Sequence, residues 1–253
     1  MFFQRAVPRT KPFSHISLGG FAMEDEFKCG TCSDGACYYG GVYTINIAKT
    51  GLKIGAIKIN SEKPFLWASG YWMPIYNDNR QFLWYLDARE TIIKGFIDQM
   101  KEGFPDVIAG TASAGIPWGA WLAQRLNLPF VYVREKQKDH GMRKRLEGLP
   151  DEGFQEKSVA LIEDLISTGE SSKSAADALR EANGILKYCL SIFNYGISGQ
   201  QLEGLGFKSL LDFNTLLRTA VVSGYINKEN LETLLDWKKD PFTWGERRGF
   251  TKR

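Results

Sequence analysis

The stretch Val159-Ala-Leu-Ile-Glu163-Asp164-Leu165-Ile166-Ser167-Thr168-Gly169-Glu170-Ser171-Ser172 carries the most information in this chain. Residues 159–162 form the short apolar run of a buried strand. Two adjacent acids follow, then a loop of small hydroxylated residues and a glycine. Over 171–182, Ala175, Ala178, Leu179 and Ala182 share one helical face, and Gly184 supplies a helix stop. This order puts a polar turn beyond the carboxyl end of a strand, where parallel α/β sheets bind their ligands. Backbone N–H groups at a helix start attract an anion such as phosphate. Gly169 lets the backbone come close to it, and Thr168, Ser171 and Ser172 add hydroxyl donors. Glu163 and Asp164 would repel a phosphate laid on them, so they call for another partner. Vicinal sugar hydroxyls fit that need, with a magnesium ion nearby to ease the charge. An ordinary strand–turn–helix with a solvated acid pair explains each part, but not their coincidence in this order.

The flanking sequence extends the alternation. Residues 107–109 read as a short strand ending in Gly110, 117–126 as a helix, 130–133 as a strand and 185–193 as a further strand. Strands alternating with helices at this spacing predict an α/β fold with a central, mostly parallel sheet flanked by helices. Upstream, Ile54, Ile57, Ile59, Phe65 and Trp67 suggest short strands around a turn at 61–64, and 83–100 has apolar residues at helical spacing. Residues 209–223 and 228–237 read as two terminal helices. Residues 1–45 lack sustained periodicity and read as an extension.

The 253 residues are 43% apolar and 24% charged, which suits one globular domain, and the net charge of +3 is too small to argue for nucleic acid or a membrane, neither of which is expected as partner. No apolar run approaches the roughly 18 residues of a membrane span, and the first residues lack the apolar stretch of a secretory signal. Residues 1–23 contain no acid and carry Arg5, Arg9 and Lys11, which suits an organelle transit peptide, a cloning tail or a start misplaced ahead of Met23. Cys29, Cys32 and Cys37 lie at metal-cluster spacing, but no fourth ligand is near. They read as part of a reduced, Gly-rich segment, and the expected location is the cytoplasm.

Residues 134–145 hold six Lys/Arg against two acids, a local charge of +4. Such a loop would attract a substrate carrying phosphate and pyrophosphate. The order Arg134-Glu-Lys136-Gln-Lys138-Asp-His140-Gly141 resembles the mobile catalytic loop of orotate phosphoribosyltransferases, and 159–172 resembles the phosphoribosyl-pyrophosphate motif of the wider type I phosphoribosyltransferases. Phe65 to Arg80 is similar to the orotate-side hood of the same enzymes, especially their Bacillus-like branch. Gly110-Thr111-Ala112-Ser113-Ala114-Gly115-Ile-Pro117 resembles that branch's pyrophosphate loop, although tight packing alone would also explain its small residues. Trp237 to Trp244 matches the branch's tail, so the resemblance runs from about Ile54 to Trp244.

That resemblance implies a type I phosphoribosyltransferase fold with a small hood subdomain. The domain would span 46–253, with the hood at about 54–80, the core at about 105–200 and terminal helices over 209–237. It implies transfer of a phosphoribosyl group from 5-phosphoribosyl-1-pyrophosphate to orotate in pyrimidine synthesis, with Mg2+. Glu163 and Asp164 would hold the ribose hydroxyls, and Leu165, Ile166, Ser167, Thr168, Gly169, Glu170 and Ser171 would hold the 5-phosphate. Thr111, Ala112, Ser113, Ala114 and Gly115 would form the pyrophosphate loop. Arg134, Lys138 and His140 would contact pyrophosphate, with Lys138 the catalytic cation, and Ser167 would meet orotate. No residue is assigned directly to a metal. The loop would close over the neighbouring subunit of a homodimer. Trp72-Met73 and Tyr195 depart from residues common in relatives, which leaves the orotate contacts open. The rivals are a phosphoribosyltransferase for another base and a non-catalytic regulator that binds the sugar phosphate.

Overall fold

The computed structural model describes residues 41–135, 145–197 and 206–251. Lys138 and His140, and likewise Cys29, Cys32 and Cys37, lie outside the described residues.

Helix α1 (Val42–Ile54) opens the described chain and begins inside the segment expected to be an extension. Ile47, Ala48, Gly51 and Leu52 form its buried stripe. Glycine is required at 51 because a Cβ would come within 2.8 Å of Ile57 and 3.1 Å of Phe82. The hood follows as two small antiparallel sheets: β1 (Ile57–Ile59) pairs with β4 (Ile75–Asn77), and β2 (Phe65–Leu66) with β3 (Trp72–Met73). A 3-10 turn (Asn79–Trp84) leads into α2 (Leu86–Gln99).

The core then alternates: β5 (Val107–Thr111), α3 (Gly115–Leu126), β6 (Phe130–Val133), β7 (Leu146–Glu147), β8 (Ser158–Ile166), α4 (Glu170–Glu181), β9 (Ile185–Asn194), β10 (Phe207–Asp212), α5 (Phe213–Val222), α6 (Lys228–Lys239) and α7 (Trp244–Arg247). The central sheet has the order β10-β9-β8-β5-β6-β7, and all neighbours run parallel except β6 with β7. Period-two alternation splits its side chains between two cores. Ile108, Ala160 and Ile162 face a core shared with α1, α2, α3, α5 and the hood, whereas Val107, Ala109, Val159 and Leu161 face the core beneath α4.

Two expectations are corrected. The run 209–223 is not one helix: residues up to Asp212 extend the sheet alongside β9, and the helix starts at Phe213. Leucines at 210, 211, 216 and 217 satisfy a helical period. Asp212, however, caps the later helix by accepting from the Thr215 N–H at 2.9 Å, and β9 offers a strand edge for the earlier residues. The strand expected over 159–162 continues through both acids to Ile166, because β9 pairs with it as far as Asn194. Among the described residues, no helix is long and apolar enough to cross a membrane.

Candidate active site

Because Glu163 and Asp164 lie within β8, their side chains go to opposite faces of the strand. Glu163 is 4% exposed. Its Oε2 accepts from the Thr111 hydroxyl at 2.6 Å, and its Oε1 accepts from Ser172 at 3.1 Å and Ser171 at 3.5 Å. One carboxylate thus ties the end of β5 and the start of α4 to β8. Burial pushes it up to about 7; the Thr111 hydroxyl pulls it back, and the Asp164 charge adds to the rise. Asp164 is pushed up to about 6, again chiefly by burial, while backbone N–H groups and Arg80 hold it down. Its carbonyl accepts from the Asn79 amide at 2.6 Å, and Arg80 donates to Asp78 at 2.6 Å, so the hood is anchored beside the acid.

The chain leaves β8 through Ser167 and Thr168 and turns at Gly169, whose φ of 87° is left-handed backbone that favours glycine. The N–H groups of the first turn of α4 have no intrahelical acceptor, as in any helix, and no side chain caps them. They border a cleft of about 360 Å³ lined by Leu165 to Ser172, with Thr111, Ala112, Arg134, Glu135, Arg145 and Ser174 among the other walls. The structure therefore brings the loop residues Leu165, Ile166, Ser167, Thr168, Gly169, Glu170 and Ser171 together with Thr111, Ala112 and Arg134.

Ser113, Ala114 and Gly115 do not line this cleft. The peptide bond between Ala112 and Ser113 is cis. Gly115 is the first residue of α3, and a Cβ there would collide with the Ile162 carbonyl and lie 2.5 Å from the Thr111 hydroxyl. Packing of helix against strand accounts for that glycine.

Arg134 closes the base of the basic loop, its N–H donating to the Arg145 carbonyl at 2.8 Å, and its guanidinium meets Glu147 at 3.3 Å. Sequence reasoning missed Arg145 and Ser174 as lining residues. Arg145 entered only as part of a charge run. Ser174 lies three residues after Ser171, on the same helical face, and that spacing was the available signal.

On the hood side, the departures Met73 and Tyr195 are core residues. Tyr195 is 1% exposed, with ring centroids 4.8 Å from Trp67 and 6.0 Å from Trp237. Met73 is fully buried, and its sulfur accepts from the Trp237 indole at 2.9 Å. Trp72 instead donates its indole N–H to the Thr251 carbonyl at 2.8 Å and lies against Phe250. Lys238 donates to the Tyr195 and Gly196 carbonyls, both at 2.6 Å, and burial pushes its amine down to about 8. Cys189 is buried in β9, where burial pushes its thiol up.

A family model described as phosphoribosyl transferase domain matches residues 84–199. A curated orotate phosphoribosyltransferase of Listeria monocytogenes is 42% identical over 206 residues, which cover 79% of this chain and 97% of that protein. One from Halalkalibacterium halodurans is 44% identical over 201 residues, covering 77% of this chain and 94% of that protein. The chain belongs to the orotate phosphoribosyltransferase family. Both relatives are Bacillota, in keeping with the Bacillus-like character of the hood. The solved orotate phosphoribosyltransferase of Aeropyrum pernix superposes with a TM-score of 0.60 at 26% identity, covering 72% of this chain and 99% of that one. Membership of the family makes this chain a pentosyltransferase, with the type I phosphoribosyltransferase fold.

Proposed function

We infer that the chain transfers the 5-phosphoribosyl group of 5-phosphoribosyl-1-pyrophosphate to orotate, giving orotidine 5-phosphate and pyrophosphate. One observation carries this assignment: the identity to orotate phosphoribosyltransferases extends over nearly their whole length and includes the cleft at the end of β8. In this reading the N-terminus of α4 and the hydroxyls of Thr168 and Ser171 hold the 5-phosphate. Asp164 lies on the ribose hydroxyls, and Glu163 keeps β5, β8 and α4 in register around them. The electron pair of the anomeric C–O bond departs with pyrophosphate. A deprotonated ring nitrogen of orotate supplies the pair for the new bond. Charge grows on the leaving group, so cations that meet it there do the main catalytic work. Arg134, with Lys138 and His140, is assigned that task by the likeness of 134–141 to the family's loop.

Among the described residues, no three ligating side chains gather into a metal cage. Magnesium suits such a site, because it takes one or two carboxylates together with substrate phosphates. Asp164 is the residue that would hold it, and the ion would neutralise pyrophosphate charge. A homodimer with shared loops is proposed on the same likeness. The exposed neighbours Trp84, Tyr85 and Leu86, of which Trp84 is 86% exposed, support a protein-facing surface. Incubating the protein with the sugar pyrophosphate, magnesium and orotate should deplete orotate absorbance. Adenine, hypoxanthine and uracil should give no nucleotide. Product from a purine but not from orotate would reject the assignment.

A further inference from the structure

Arg145 ends the basic loop and holds a position of its own in the cleft wall. Its Nη1 donates to the Ser174 carbonyl at 3.2 Å, its Nη2 to the Ser174 hydroxyl at 3.1 Å, and its Nε to the Arg134 carbonyl at 3.2 Å. All three acceptors are neutral, so among the described residues its positive charge meets no carboxylate. A guanidinium carries five N–H donors; two remain here without a described acceptor. The other lining cation, Arg134, meets Glu147 at 3.3 Å and is assigned above to the leaving pyrophosphate. Glu135 and Glu170 also line the cleft, so without Arg145 its described walls would carry one more negative charge than positive. A phosphate entering such a cleft needs an unspent cation. The Ser174 hydroxyl accepts from Arg145 and so keeps its own proton to donate. Ser174 lies one turn along α4 from Ser171, which places this pair beside the phosphate-binding turn rather than at the hood.

We propose that Arg145, positioned by Ser174, is a binding residue for the substrate's 5-phosphate, adding a side-chain cation to a subsite otherwise built of backbone N–H and hydroxyl groups. This rests on the sugar-phosphate assignment of the cleft but not on the identity of the base. Calorimetric titration of the full chain with ribose 5-phosphate, and separately with inorganic pyrophosphate, tests it.

In Arg145→Gln the dissociation constant for ribose 5-phosphate should rise about tenfold or more, the scale of one lost charge-assisted hydrogen bond. Pyrophosphate affinity should change less than about twofold, because the leaving group is held elsewhere. Arg145→Lys should recover part of the loss by keeping the charge. Ser174→Ala, on an exposed helical position that favours alanine, should weaken ribose 5-phosphate binding severalfold without loss of fold. In turnover, KM for the sugar pyrophosphate should rise while KM for orotate stays put. Unchanged ribose 5-phosphate affinity in a folded Arg145→Gln protein, or equal losses for both probes, would overturn the proposal. A wild-type protein that binds neither probe would instead sink the sugar-phosphate assignment beneath it.

Discussion

Replacing Glu163 by Gln should make the protein more stable at pH 8 and have a much smaller effect at pH 5. In the folded chain the carboxyl is buried and pushed up to about 7, whereas in the unfolded chain it returns to its ordinary 4.5. Between those values the folded state holds a proton that the unfolded state has released. Stability therefore falls as pH rises from about 4.5 to about 7, and the loss is complete above that range. A gap of about 2.5 pH units corresponds to about 3 kcal/mol, of which about 2–3 kcal/mol lies between pH 5 and pH 8. Glutamine resembles the protonated acid: its carbonyl can accept from Thr111 while its amide can donate to Ser172. The variant-minus-wild-type difference isolates this group from the exposed carboxylates. Thermal unfolding at the two pH values should show the variant gaining about 5 °C or more on the wild type as pH rises from 5 to 8, at about 2–4 °C per kcal/mol for a chain near this size. An equal difference at both pH values would refute the claim that desolvation dominates this carboxyl.

Gly115→Ala should destabilise the fold by about 3 kcal/mol in urea unfolding, because the new methyl group meets the Ile162 carbonyl, which belongs to strand backbone and has little room to yield. Asp212→Ala should cost about 1 kcal/mol in the same assay by removing the α5 cap, with turnover little changed. Under the proposed mechanism, Lys138→Ala should lower turnover about a hundredfold or more while KM for the sugar pyrophosphate moves little, judged from orotate absorbance. Comparable turnover in that variant would remove Lys138 from the role.

The centre of the fold was legible because strands β5, β6, β8 and β9 are short apolar runs separated by helical stripes, and local pattern suffices for these. Helix α1 was not. Val42, Thr44, Ile45 and Ile47 are β-branched, and Gly51 disfavours helix locally; tertiary contact with Ile57 and Phe82 overrides those preferences. β10 was hidden because its leucines fit either period. At the site, residue types and order gave the loop and its acids. The different settings of the two acids were not readable, because Glu163's main partner Thr111 lies 52 residues away. Arg145 was likewise obscure until Ser174, 29 residues on, gave its guanidinium a fixed place.

The β2–β3 hairpin rests on residues made some 170 positions later: Trp72 donates to the Thr251 carbonyl 179 residues downstream, and a Cβ on Gly245 would lie 2.9 Å from Trp72 Cβ. During synthesis the sheet and the turn after β8 can leave the ribosome before Trp237, Gly245 and Thr251 are in place to back Met73 and Trp72. Contacts so distant in sequence form late, since closing long stretches of chain is entropically slow. A nascent chain would thus acquire the turn at the end of β8 before its hood hairpin is fully backed. A chain stopped short of Trp244 would carry the turn without the full backing.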